Sequence, residues 1–172
     1  AQGDVYVVDN WPSENDERGR GRVQKFTPDG TFIRELDIDD FPDLPQALGD
    51  VAVDRDNNLL VLDSVSFILY MFSPEGVFLG EYFFPDRDSS GMGAWPLGIT
   101  VGTDGRIYVA ETELSRITVY EFDGDALTLV NVLGDLGSGP GQIAYPQDIA
   151  VDATGNVYVS DTRNHRIQKF RP

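Results

Sequence analysis

The chain has 172 residues, with 29 Asp plus Glu against 13 Lys plus Arg, one His, no Cys and a formal net charge of -16. That balance repels phosphate backbones and leaves no basic stripe, so no nucleic-acid partner is expected; without cysteine, disulfide scaffolds, thiol catalysis and Cys-ligated zinc are excluded. A hydrophobic content of 41% with 11% aromatics suffices for a core, while no apolar run approaches the roughly 18 to 20 residues of a membrane-spanning helix and no membrane insertion is expected.

In chain order, Val5 to Asn10 reads as the first short strand, followed after a long polar loop by Arg22 to Phe26. The turn Pro28-Asp29-Gly30 leads into Phe32 to Leu36. Next come Asp50 to Asp54, the turn Asp56-Asn57-Asn58, Leu59 to Ser64 and Ile68 to Phe72, then Pro74-Glu75-Gly76 and Val77 to Tyr82. A third group follows: Gly98 to Gly102, Thr103-Asp104-Gly105, Ile107 to Thr112 and Arg116 to Tyr120, with Asp123-Gly124 before Ala126 to Leu133. The last group is Asp148 to Asp152, Ala153-Thr154-Gly155-Asn156, Val157 to Thr162 and Arg166 to Phe170. Each segment is β-branched or aromatic and bounded by Gly, Asp, Asn or Pro, the pattern of strands joined by tight turns. No sustained helical period occurs.

These segments repeat. Val5, Leu59, Ile107 and Val157 open equivalent strands at spacings of 54, 48 and 50 residues, and Phe26, Phe72, Tyr120 and Phe170 close another set at 46, 48 and 50. A unit of this period with four antiparallel strands cannot bury both faces of its own sheet; stacking the units does, which describes an all-β fold, a β-propeller. The expected blades are residues 1–44, 45–90, 91–138 and 139–172 of one propeller region, with three, four, four and three strands, or about 3.5 blades. The first blade lacks its innermost strand and the last its outermost. The expectation is therefore a partial ring: an excerpt of a longer propeller, or a chain whose ring is completed by further copies. Opening at Ala1-Gln2 without Met, the sequence suits a processed secreted protein or such an excerpt.

The stretch from Gly139-Pro140-Gly141-Gln142 through Tyr145-Pro146-Gln147-Asp148-Ile149-Ala150-Val151-Asp152, then Gly155-Asn156-Val157-Tyr158-Val159-Ser160-Asp161-Thr162 and Asn164-His165-Arg166-Ile167-Gln168-Lys169-Phe170, closely resembles an NHL repeat. Trp95-Pro96-Leu97-Gly98-Ile99 and Gly49-Asp50-Val51-Ala52-Val53-Asp54 resemble parts of the same repeat. The resemblance implies a propeller of NHL-type four-stranded blades, commonly six, that presents a loop-built face to proteins or small ligands. It implies no single activity. The family also holds the peptidyl-hydroxyglycine amidating lyases, but a catalytic zinc needs about three protein ligands and this chain has one His.

Candidate sites each have two readings. Asp9, Asp63, Glu111 and Asp161 share one repeat position and form either a carboxylate ring for calcium or caps for their own turns. The loop containing Trp11, Glu14, Asp16, Glu17, Arg18 and Arg20 is the longest departure from the repeat, either a protein or glycan surface or a tolerated insertion. Trp95 and Tyr145 precede Pro96 and Pro146 and either stack a ligand or pack between blades. Phe83 and Phe84 suit a contact patch or the core equally. His165 is either a binding residue or an exposed loop residue, and the repeated Arg22, Arg116 and Arg166 suit pairing with acids.

The function expected is a non-catalytic binding or assembly module, extracellular or periplasmic, whose partner is a protein, a glycan, a small ligand or further copies of itself. No cofactor is expected beyond possible calcium. The alternative is a calcium-dependent hydrolase or lactonase of the gluconolactonase-like propeller group.

Overall fold

In a computed structural model, residues 3–9, 21–36, 40–42, 45, 47–85 and 95–171 are described. They form four antiparallel sheets, each a run of strands consecutive in sequence. Blade 1 holds β1 (Val5–Asp9), β2 (Arg22–Phe26) and β3 (Phe32–Leu36); blade 2 holds β4 (Leu48–Val53), β5 (Leu59–Asp63), β6 (Ile68–Phe72) and β7 (Phe78–Phe83). Blade 3 holds β8 (Pro96–Val101), β9 (Ile107–Glu111), β10 (Arg116–Phe122) and β11 (Leu127–Leu133); blade 4 holds β12 (Pro146–Val151), β13 (Val157–Asp161) and β14 (Arg166–Phe170). The strand groups of three, four, four and three are those read from the repeats. Thr162–Asn164 forms a 3-10 turn.

The sheets stack face to face, and the two-residue alternation of a strand decides which neighbour each side chain meets. In β5, Leu59 and Val61 join Val23, Leu36, Tyr70 and Phe72 between blades 1 and 2. Leu60 and Leu62 point the other way, to Ile99, Ile107, Val109 and Tyr120 between blades 2 and 3. A third core sets Tyr108, Ala110, Ile117 and Val119 of blade 3 on Ile149, Val157 and Val159 of blade 4. Every residue of β5, β6 and β9 is therefore buried, whereas β14, at the edge of blade 4, alternates between half-buried and exposed. Phe84 is core and stacks on Tyr120 at 5.1 Å. Phe83 is exposed.

Turn chemistry absorbs part of the Asp surplus. Asp54 accepts hydrogen bonds from the backbone N–H of Asp56 and Asn58, both at 2.8 Å. Asp152 does the same for Thr154 (2.9 Å) and Asn156 (3.0 Å). Both are turns in which a short carboxylate replaces a backbone acceptor.

The innermost strand β8 lies beside both β4 and β12, and Gly98 sets that spacing. A Cβ there would sit 2.9 Å from the Asp148 Cα and 2.9 Å from the Gln147 carbonyl oxygen, backbone atoms of the next blade. Gly98→Ala is expected to lower stability by about 1–3 kcal/mol, the range for overpacking a close-packed contact. The midpoint of urea denaturation checks it: an unchanged midpoint would mean that the inner strands are not in firm contact.

Candidate functional site

Each blade has two ends. One carries the loops β5–β6, β9–β10 and β13–β14 and the segments leading into β8 and β12, and is called here the carboxylate end. The other carries the tight turns.

The repeated acids stand at the carboxylate end, each engaged within its own blade. Asp63 is fully buried and accepts from the N–H groups of Ala47, Val65 and Ser66 at 3.0–3.3 Å. Asp161, equally buried, accepts from Ala144 N–H (2.7 Å), Arg166 Nε (2.7 Å) and Gln168 Nε2 (2.9 Å). Glu111 is held by Arg116 and by the Thr118 hydroxyl at 3.3 Å; Asp9 is held by Arg22 (3.0 Å) and Gln24 (3.1 Å). Arg22, Arg116 and Arg166 lie directly across the ladder from Asp9, Glu111 and Asp161, so the repeated Arg does pair with the repeated acid. The hydrogen bonds described for these acids lie within single blades, as in their reading as caps, and among the described residues no three His, Cys, Asp or Glu side chains gather where one ion could be held.

In Asp63 and Asp161 this capping also fastens the segment that leads into the innermost strand. In blades 2 and 3 the residue after the acid reaches the next blade. The Ser64 hydroxyl donates to the Pro96 carbonyl and the Thr112 hydroxyl to the Pro146 carbonyl, the latter at 2.6 Å. Those two carbonyls belong to the segments that carry Trp95 and Tyr145.

Trp95 and Tyr145 have φ of 43° and 56°, the left-handed region that bulky side chains avoid at a cost of about 1–2 kcal/mol. The surroundings hold them there. The Trp95 carbonyl accepts from Thr112 N–H at 3.3 Å, and Tyr145 N–H donates to the buried Ser115 hydroxyl at 3.4 Å. Trp95 is 52% exposed, and the loops on either side of its segment expose Val65 and Leu114. Tyr145 is half-buried: its hydroxyl donates to the Glu113 carboxylate at 2.7 Å, and the Arg163 guanidinium lies 3.4 Å from its ring centroid, a cation–π contact. The hydrogen bond to Glu113 pushes the Tyr145 phenol above its usual range.

His165 lies at the same end, exposed, with φ of 52°. Its N–H closes a turn on the Thr162 carbonyl at 3.1 Å, and Phe67 and Ser115 take the same left-handed backbone at the equivalent position. Trp11, Glu14, Asp16, Glu17, Arg18 and Arg20 lie outside the described residues.

The Glu113 and Arg163 partners of Tyr145 were not legible in the sequence, because Val65, Glu113 and Arg163 share one repeat position with three unlike residues. Nor was a cavity of about 390 Å³ at the turn end between blades 3 and 4, lined by Thr103, Arg106, Tyr108, Asn131, Thr154 and Arg171. Its Tyr108 hydroxyl is 3.3 Å from Asp104, and Arg106 is paired with Glu121 at 2.8 Å.

Residues 94–120 and 144–170 match a family model described as NHL repeat. The chain carries NHL repeats. Among solved structures, the NHL-repeat chain is similar to virginiamycin B lyase from Staphylococcus aureus, with TM-score 0.57 and 19% identity over 88% of this chain and 48% of that one. A streptogramin B lyase follows at TM-score 0.61 and 16% identity, over 97% and 59%. The WD40 β-propeller domain of Doa1 matches at TM-score 0.60 and 13% identity, over 99% and 47%. At these identities the likeness shows the fold, a β-propeller. The NHL-repeat chain spans about half the length of these structures. No curated protein sequence matches it.

The acids set the response to pH. Burial pushes the Asp161 carboxyl up, but the Ala144 N–H, Asn164 and Arg166 outweigh it and hold the group below the ordinary carboxylate range. Asp152 is held below that range by the side chains of Asn156 and Thr154. An acid whose folded pKa is depressed contributes stability above its unfolded pKa, about 3.9, and loses it as the pH falls through the folded value. Asp50, raised by burial, has the opposite sign. The melting temperature is expected to stay level from pH 7 to 5 and fall below pH 4, less steeply in Asp152→Asn. An acid limb identical in that variant would remove Asp152 from the account.

Proposed function

We propose that this NHL-type propeller segment is a non-catalytic binding module that takes a protein partner at its carboxylate end, in an extracellular or periplasmic setting. The carrying observation is Trp95, a large aromatic left in solvent on a left-handed backbone, in line with the clamped Tyr145. Exposure argues against packing between blades as its purpose. Unfavourable backbone retained at a surface residue points to use rather than stability. Trp, Tyr and Arg are the residues that dominate protein interfaces, and Trp95, Tyr145 and Arg163 bring one of each to the same end, rimmed by Val65 and Leu114. Tyr145 is already immobilised by Glu113 and Arg163, so binding it costs little side-chain entropy. The acid-rich surface suits an exterior setting.

The calcium-dependent hydrolase reading draws no support from the repeated acids, whose oxygens serve backbone N–H groups and Arg in their own blades. The lyase activities in the names of two structural relatives belong to those proteins.

A photo-crosslinker at Leu114 is expected to capture the partner, with none captured from Asp123 at the turn end. The purified partner should then lose about 30-fold or more in affinity for Trp95→Ala, the 2 kcal/mol of a hot spot, and nothing for Asp123→Ala. An affinity unmoved by Trp95→Ala would sink this reading.

A further inference from the structure

In the two internal blades, 2 and 3, both sheet faces are covered by neighbours. The outward faces of blades 1 and 4 are not, and their residues show what fits them. In β1 and β2 the outward side chains pair as Val5 with Phe26, Val7 with Gln24 and Asp9 with Arg22. In β13 and β14 the equivalent pairs are Val157 with Phe170, Val159 with Gln168 and Asp161 with Arg166. The six residue types are identical and so is the register. In blade 4 that face is an interface: Val157 is 2% exposed and Val159 0%, under Tyr108, Ala110, Ile117 and Val119 of blade 3. In blade 1 the same valines are 46% and 43% exposed. Blade 1 thus presents a finished interblade surface to solvent.

The other face of blade 4 matches the surface that covers such an interface. Its Tyr158, Ser160, Ile167 and Lys169 stand where blade 3 has Tyr108, Ala110, Ile117 and Val119: Tyr and Ile are kept, and Ser adds one hydroxyl to Ala. Ile167 is 68% exposed, against 0% for Ile117. The inward face of blade 1, which packs on blade 2, repeats the arrangement, with Lys25 over the Tyr6 ring at 5.2 Å as Lys169 lies over Tyr158 at 5.3 Å.

The geometry points to a second copy of this chain as the occupant, docked head to tail: the Tyr158, Ile167 face of blade 4 in one copy covers the Val5, Val7 face of blade 1 in the next. Such a contact is heterologous, since each interface uses one face of each kind, and it closes into a ring or continues as an open series. It stands apart from the loop-end binding proposed above, because it uses sheet faces and none of Trp95, Tyr145 or Arg163.

Light scattering on the purified chain should give a mass of at least twice 19.0 kDa, falling to the single-chain mass in Val7→Lys and in Ile167→Lys. Both positions are exposed, so the far-UV spectrum should be unchanged in each. Mixing the two variants should restore a two-chain species, since one supplies an intact blade 4 face and the other an intact blade 1 face. A parent chain of single mass at all concentrations would overturn the proposal. So would an assembly that survives either substitution, or a mixture that stays at single mass.

Discussion

Apolar contact between neighbouring sheets is what the rest of this chain depends on. A three- or four-stranded meander has two faces and no means of hiding either alone, so every blade is stable only to the extent that another lies against it. The alternation of β5 shows the arrangement at the level of single residues, with odd positions serving one core and even positions the next. Stability then grows with neighbours rather than with length. Blades 2 and 3 are the ones packed on both faces within this chain.

Polar groups at the carboxylate end give the stacked sheets their alignment. In blades 2 and 4 a buried Asp ties the incoming segment to its own blade; in blades 2 and 3 the next hydroxyl ties that blade to its successor. A buried carboxylate is tolerable here because its oxygens meet N–H donors from the backbone and, in blade 4, Arg166 and Gln168. The candidate surface is therefore mounted on a frame of satisfied hydrogen bonds, and Trp95 and Tyr145 can be held in backbone conformations that a loose loop would relax.

The strands, their grouping and the pairing of Arg22, Arg116 and Arg166 with the acids were legible in the sequence, because they rest on features that recur at each period. Alternation, turn residues and equivalent positions carry that information. The surroundings of Tyr145 were not legible, since Glu113 lies 32 residues away across a blade boundary and its repeat equivalents are Val65 and Arg163. Phe83 and Phe84 illustrate the same limit: adjacent and alike in type, they part into solvent and core by the pleat alone. Side chains that differ from blade to blade escape a reading built on likeness, and those are the side chains that make the candidate site.

That division between constant and variable positions has a consequence for how such a surface diversifies. Val65, Glu113 and Arg163 stand on equivalent turns, each followed two residues on by a left-handed residue, Phe67, Ser115 or His165, so one backbone course carries three unlike side chains. Each blade contributes one character to an address, written in apolar, negative and positive chemistry, on a frame that reads the same whatever is written. For the binding role proposed above, a change of partner would draw on substitutions at this recurring position, with no strand altered and no new loop to be ordered.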